Sequence, residues 1–79
     1  MSETWGKIIA VDFDGTLCEN AYPEIGKPNA SVIEGVLRAK AAGARLILWT
    51  CRSGEELDAA VGWCRERGIE FDTVNASLP

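Results

Sequence analysis

The sequence holds no histidine, only three cysteines, few basic residues and no apolar run longer than Leu46 to Cys51, which Thr50 already interrupts. Each shortage excludes something. A run that short falls far below the roughly 20 apolar residues of a transmembrane helix, so no membrane partner is expected. Met1-Ser2-Glu3-Thr4 lacks the basic stretch that opens a signal peptide. The cysteines Cys18, Cys51 and Cys64 are odd in number and form no CxxC or Cys/His pattern, which suggests neither a disulfide frame nor a zinc site and fits a reducing cytoplasm. Eight basic residues against twelve acidic ones leave a net charge of −4, and the basic residues are scattered. That distribution argues against a nucleic-acid partner, because phosphate backbones are bound by clustered Lys and Arg.

What is present has the balance of a globular domain, with 47% apolar and 25% charged residues. Seventy-nine residues make one domain at most. A chain of this size buries only about 60% of the surface its unfolded form exposes, so the core is expected to be thin.

Lys7-Ile-Ile-Ala-Val11 is a continuous apolar run, the mark of a parallel strand covered on both faces. Residues 13 to 29 contain glycines and prolines without a sustained apolar period and read as an excursion loop. Ser31 and Glu34 match a capping box at the start of a helix that carries Val32, Ile33, Val36 and Leu37 inward and stops at Gly43. Arg45-Leu-Ile-Leu-Trp-Thr50 is a second buried-strand run. Ser53 and Glu56 repeat the capping pattern, and Leu57, Ala60, Val61 and Cys64 follow at helical spacing as far as about Arg67. Ile69 to Val74 is expected as a third strand. The pattern is βαβαβ, an α/β fold with a Rossmann-like parallel sheet. Right-handed crossovers moving in one direction give the strand order 3-2-1 and place both helices on one face. The other face would then expose about two large side chains per strand, for a downstream segment or a second copy of the chain to cover. Trp49 and Trp63 are expected in the core, Trp5 less so, Cys51 as a small buried residue, and Arg65, Glu66 and Arg67 on a solvated face.

In such sheets active sites lie outside the carboxyl ends of the strands. Those ends carry Asp12 and Asp14, then Thr50 and Arg52, then Asn75. Asp12-Phe-Asp-Gly-Thr-Leu17 is the most informative stretch. In extended backbone its two carboxylates point the same way, and at roughly 6 Å in an effective dielectric near 20 they repel by about 3 kcal/mol. The pair therefore wants a shared proton or a cation, and Mg²⁺, which favours oxygen ligands and takes one or two carboxylates plus water and phosphate, suits it. Gly15 lets the backbone turn out of the strand.

Ile8-Ile-Ala-Val-Asp-Phe-Asp-Gly-Thr-Leu17 resembles the first motif of the haloacid dehalogenase superfamily of phosphatases, an apolar strand followed by Asp-x-Asp-Gly-Thr. Leu46-Ile-Leu-Trp-Thr50 is similar to its second motif, a strand ending in Thr or Ser. Leu-Ile-Leu-Trp-Thr-Cys-Arg, with Trp63-Cys-Arg-Glu-Arg-Gly on the next helix, looks like small capless bacterial members. The resemblance implies that Asp12 is the nucleophile, taking the phosphoryl group as an aspartyl-phosphate, and that Asp14 protonates the leaving alcohol and later deprotonates water. It also implies that Thr50 and the backbone N–H of Phe13 hold the phosphate, and that the Asp12 carboxylate and the Asp14 carbonyl ligate Mg²⁺. Arg52 is expected either to bind a substrate anion or to face solvent near Glu55 and Glu56.

The family's third-motif Lys or Arg and fourth-motif acids would lie past Pro79, so residues 1–79 are expected to be a domain incomplete at its C-terminal side. Lys27 reads as a solvated loop lysine rather than a substitute cation, and Asp72 as a strand residue rather than a metal ligand. The expected function is hydrolysis of a small phosphomonoester. The competing expectations are phosphoryl transfer and a non-catalytic half-domain acting in assembly.

Overall fold

The computed structural model describes residues 7–77. Expectations about Trp5 and the first four residues fall outside that span. In chain order the elements are β1 (Ile8–Asp12), β2 (Cys18–Ala21), β3 (Glu24–Pro28), α1 (Ala30–Ala41), β4 (Arg45–Trp49), α2 (Gly54–Glu66) and β5 (Thr73–Val74). Three strands form a parallel sheet in the order β1-β4-β5, with the two helices as crossovers. The result is a small Rossmann-like α/β domain.

The register pairs Ile8 with Arg45 through to Asp12 with Trp49, and Ile47 and Leu48 with Thr73 and Val74. Side chains alternate across a strand, so this register lines up Ile9, Val11, Leu46 and Leu48 on one face. Val11, Leu46 and Leu48 join Ile33 and Val36 of α1 and Ala60 and Cys64 of α2 in one core cluster, with Ile9 packed against it. Ile8, Ala10, Ile47 and Trp49 take the other face, where Ile8 is 45% and Trp49 37% exposed although Ile47 is buried. Trp49 therefore does not belong to the core as its apolar neighbours suggested. Its strand parity turns it away from the helices.

Both helices end on glycine in the same way. The Gly43 and Ala44 amides bond back to the Lys40 and Ala39 carbonyls, and those of Gly68 and Ile69 to Arg65 and Cys64. These are Schellman closures, which satisfy the last helical carbonyls and turn the chain toward the sheet. The second closure seats Ile69 in the core at 1% exposure. This shortens the third strand, which was expected from Ile69 and contains only Thr73 and Val74. At the start of α1 the cap is Asn29 rather than Ser31, whose hydroxyl instead donates to the Asn29 Oδ1 at 3.2 Å. Ser53 does cap α2, as its position predicted, but makes no side-chain capping bond.

The segment 13–29 is not an irregular loop. Cys18 faces Pro28, Asn20 faces Ile25 and Ala21 faces Glu24 in an antiparallel hairpin with one irregularity. A side chain on Gly26 would collide with the Glu19 carbonyl of the facing strand, so the close approach requires glycine there. Cys18 is the one buried residue of the hairpin strands.

Candidate active site

A cavity of about 360 Å³ opens at the carboxyl ends of the parallel strands, lined by Asp12, Phe13, Asp14, Trp49, Thr50, Cys51 and Asn75. β1 delivers Asp12 to its rim, and there the chain turns. Leu17 and Thr16 amides both bond to the Phe13 carbonyl, and Gly15, at φ +86°, donates to Cys18. Few residues other than glycine adopt that backbone region without strain. The turn buries Phe13, at 1% exposure, as the floor of the cavity. Its ring meets Trp63 edge to face, with centroids 5.4 Å apart. Phe13 thus anchors the two carboxylates on either side of it.

Those carboxylates have different surroundings. Asp12 is exposed, and among the described residues its carboxylate has no hydrogen-bond or ion-pair partner. Asp14 is gripped by Arg52, whose Nε donates to Oδ2 at 2.8 Å and Nη2 to Oδ1 at 2.7 Å. Such a two-point fork is the strongest form of charge-assisted pairing. The guanidinium also donates through Nη1 to the Pro23 carbonyl at 3.1 Å and the Glu56 carbonyl at 3.4 Å, and through Nη2 to the Glu24 carbonyl at 2.8 Å. It lies 5.0 Å from the Phe13 ring and 5.1 Å from that of Tyr22. The bond to Asp14 raises the Arg52 pKa above its ordinary value, against the opposing effect of burial.

Arg52 is therefore not solvated, and the anion it holds is the Asp14 carboxylate rather than a substrate. It is 2% exposed, and all five of its N–H donors point inward. The repulsion between Asp12 and Asp14 called for a cation, and the chain supplies one of its own from the loop after β4. That signal was present in the sequence, since two acids after one strand and an arginine after the next lie side by side once the strands pair in parallel.

Thr50 is half-buried at the end of β4. Its amide donates to the Asn75 Oδ1 at 2.8 Å, and its hydroxyl oxygen accepts the Arg52 amide at 3.1 Å. Thr50 lines the cavity together with Asp12 and Asp14. Asn75, at φ +54°, donates its own amide to the Leu48 carbonyl at 2.7 Å. Asparagine tolerates this left-handed conformation better than most residues. The sequence puts it at a strand end without marking it as a site residue, and in the fold it forms a wall of the cavity.

Cys51 is exposed rather than buried. Cys18 and Cys64 are buried, and burial raises both thiol pKa values, that of Cys64 to about 12. Lys27 lies exposed on β3 and is not among the cavity residues. Arg67 does not face open solvent as expected, since its guanidinium sits 3.8 Å over the Trp63 ring.

For a divalent cation the described residues offer the free Asp12 carboxylate and the Asp14 backbone carbonyl. The Asp14 carboxylate is taken by Arg52. Among the described residues no group of three or more acidic, histidine or cysteine side chains converges on a metal position. Two protein oxygens with water and a substrate phosphate suit Mg²⁺, which dehydrates reluctantly and is usually held by only one or two carboxylates.

No family model matches the chain, and no curated protein matches it. Among solved structures it is similar to a conserved protein from Bacteroides thetaiotaomicron, with 47% sequence identity and a TM-score of 0.85 over 91% of this chain. The chain spans 60% of the length of that protein.

Proposed function

We propose that this domain carries the nucleophile half of a Mg²⁺-dependent phosphohydrolase of the haloacid dehalogenase type, acting on a small phosphomonoester. The observation that carries the reading is the unequal pair of carboxylates on one cavity. Asp12 is free and exposed where a nucleophile must meet phosphorus, and Asp14, two residues on, is fixed beside it. In this reading an Asp12 oxygen attacks the phosphorus, the bond from phosphorus to the ester oxygen breaks, that oxygen takes a proton that Asp14 relays from solvent water, and an aspartyl-phosphate remains on Asp12. Asp14 then takes a proton from the water that hydrolyses it. Thr50 donates its hydroxyl proton to a phosphate oxygen. Bound Mg²⁺ would screen the negative charges of carboxylate and phosphate from one another.

The complete protein should hydrolyse p-nitrophenyl phosphate when Mg²⁺ is supplied. Asp12→Asn should lower kcat/KM by about 10³-fold or more, since the covalent route is lost. An Asp12→Asn variant that keeps most of the activity would overturn the assignment.

A further inference from the structure

Arg52 bonds to three parts of the molecule at once: the Asp14 carboxylate, the Pro23 and Glu24 carbonyls at the hairpin turn, and the Glu56 carbonyl in the first turns of α2. The hairpin is otherwise held by Cys18 in the core, by Ile25 packed against it, and by backbone bonds at its base. Of its strand residues only Cys18 is buried, and Tyr22 at the turn is 57% exposed. Apolar packing reaches from the base of the hairpin to Ile25, and the Pro23 and Glu24 carbonyls of the turn itself are held by Arg52.

We propose that Arg52 is a positioning residue that fastens the tip of the β2–β3 hairpin onto the Asp14 carboxylate, so that the acid/base group and the hairpin form one rigid unit beside the cavity. The acid/base part rests on the reading of Asp14 given above. The fork of a guanidinium is planar and fixed, so two N–H groups set the carboxylate plane while the others hold the hairpin carbonyls in the same plane. A lysine carries the same charge as a single point and cannot make five bonds in one plane. Among the described residues Asp12 has no such clamp. The site therefore combines a free nucleophile with a locked acid/base group, and a displacement of that group by about 1 Å is enough to cost roughly 10² in rate.

The test uses the complete protein with Arg52→Lys and Arg52→Ala. Arg52→Lys should lower kcat about 100-fold and leave KM within about threefold, as expected when a supporting contact rather than a substrate contact is lost. Added guanidinium ion should restore kcat of Arg52→Ala by about tenfold or more, and should not restore Asp14→Asn. In metal-free protein, amide hydrogen exchange over residues 18–28 should quicken at least about tenfold in Arg52→Lys while β4 amides are unchanged. A folded Arg52→Lys that keeps kcat and the hairpin's exchange protection overturns the proposal. So does failure of both variants to fold, which would make Arg52 a support of the whole domain. Wild type and Asp12→Asn run in the same assay test the phosphatase reading separately. If that reading fails, the exchange data alone decide whether Arg52 holds the hairpin to Asp14.

Discussion

Two aspartate–cation pairs sit on this one small sheet. At its carboxyl end Asp14 meets Arg52 at 2.7 Å, with side chains 19% and 1% exposed. At its far edge Asp72 meets Lys40 at 3.3 Å, with side chains 34% and 37% exposed. The first pair is enclosed by the hairpin and by aromatic rings. The second is open to water, where an ion pair contributes about 0–1 kcal/mol and weakens with salt. Asp72 is held mainly by a different bond, from the Leu46 amide to its Oδ2 at 2.7 Å. Similar pairs thus do different work. Asp72 satisfies the backbone where the third strand is short of ladder bonds, while Asp14 is a charged group kept rigid next to a cavity and a free carboxylate.

The contrast is sharpest for Asp14. Asp14→Asn should slow hydrolysis of an alkyl phosphate by about 10² to 10³-fold, since a positioned acid or base supplies that much. p-Nitrophenyl phosphate needs little help from a proton in the first step, so phosphorylated protein should accumulate in the variant and be visible by rapid-quench mass spectrometry. Asp72→Asn should show neither effect. Equal losses in the two variants would break the comparison and remove the special role of the carboxyl-end pair.

Thr50 carries the next largest effect. Thr50→Ala removes a hydroxyl at the cavity and with it one acceptor of the Arg52 amide, but keeps the Thr50 amide bond to Asn75. KM for phosphate esters should rise about tenfold, worth about 1.4 kcal/mol of binding, with only a small change in Tm. A large loss of thermal stability with normal kinetics in the surviving fold would move Thr50 from site residue to support.

How much of this could be read in advance depended on whether a residue's role is local. β1 and β4 were legible because Ile8 to Val11 and Leu46 to Trp49 are apolar throughout, and the helix ends because Gly43 and Gly68 follow the last apolar turn of each helix, where a left-handed glycine closes it. The placing of Asp12, Asp14 and Thr50 on one cavity followed from strands ending in polar residues. The hairpin was not legible, because strands that bury almost nothing show no apolar alternation. The α1 cap was ambiguous in kind, since Asn29 and Ser31 are both good capping residues two positions apart and only packing chooses between them. Arg52 was legible as a residue of the strand end, but its pairing with Asp14 was not, for a third reason. Its partner lies 38 positions away, and only the parallel register of β1 with β4 brings the two together.

The smallest effect belongs to Asp72, and it is a matter of stability rather than rate. The Leu46 amide, and after it Lys40, lower the Asp72 pKa below the ordinary aspartate value. A carboxylate whose pKa is lower folded than unfolded binds fewer protons in the folded state. Its contribution is complete above the usual aspartate pKa of about 4 and is lost as pH falls through the lowered folded value. Asp72→Ala also leaves the Leu46 amide without its partner, a cost of about 1–2 kcal/mol near neutral pH, whereas Lys40→Ala should cost under about 1 kcal/mol. For a domain of this size about 1 kcal/mol moves Tm by roughly 4–8 °C, within reach of a thermal melt followed by circular dichroism. The gap in Tm between wild type and Asp72→Ala should therefore narrow as the buffer is taken from pH 7 to below pH 4. A gap that stays constant over that range would mean that the hydrogen bond stabilises the edge equally well with a neutral carboxyl, and the ionised form of Asp72 would lose its part in the fold.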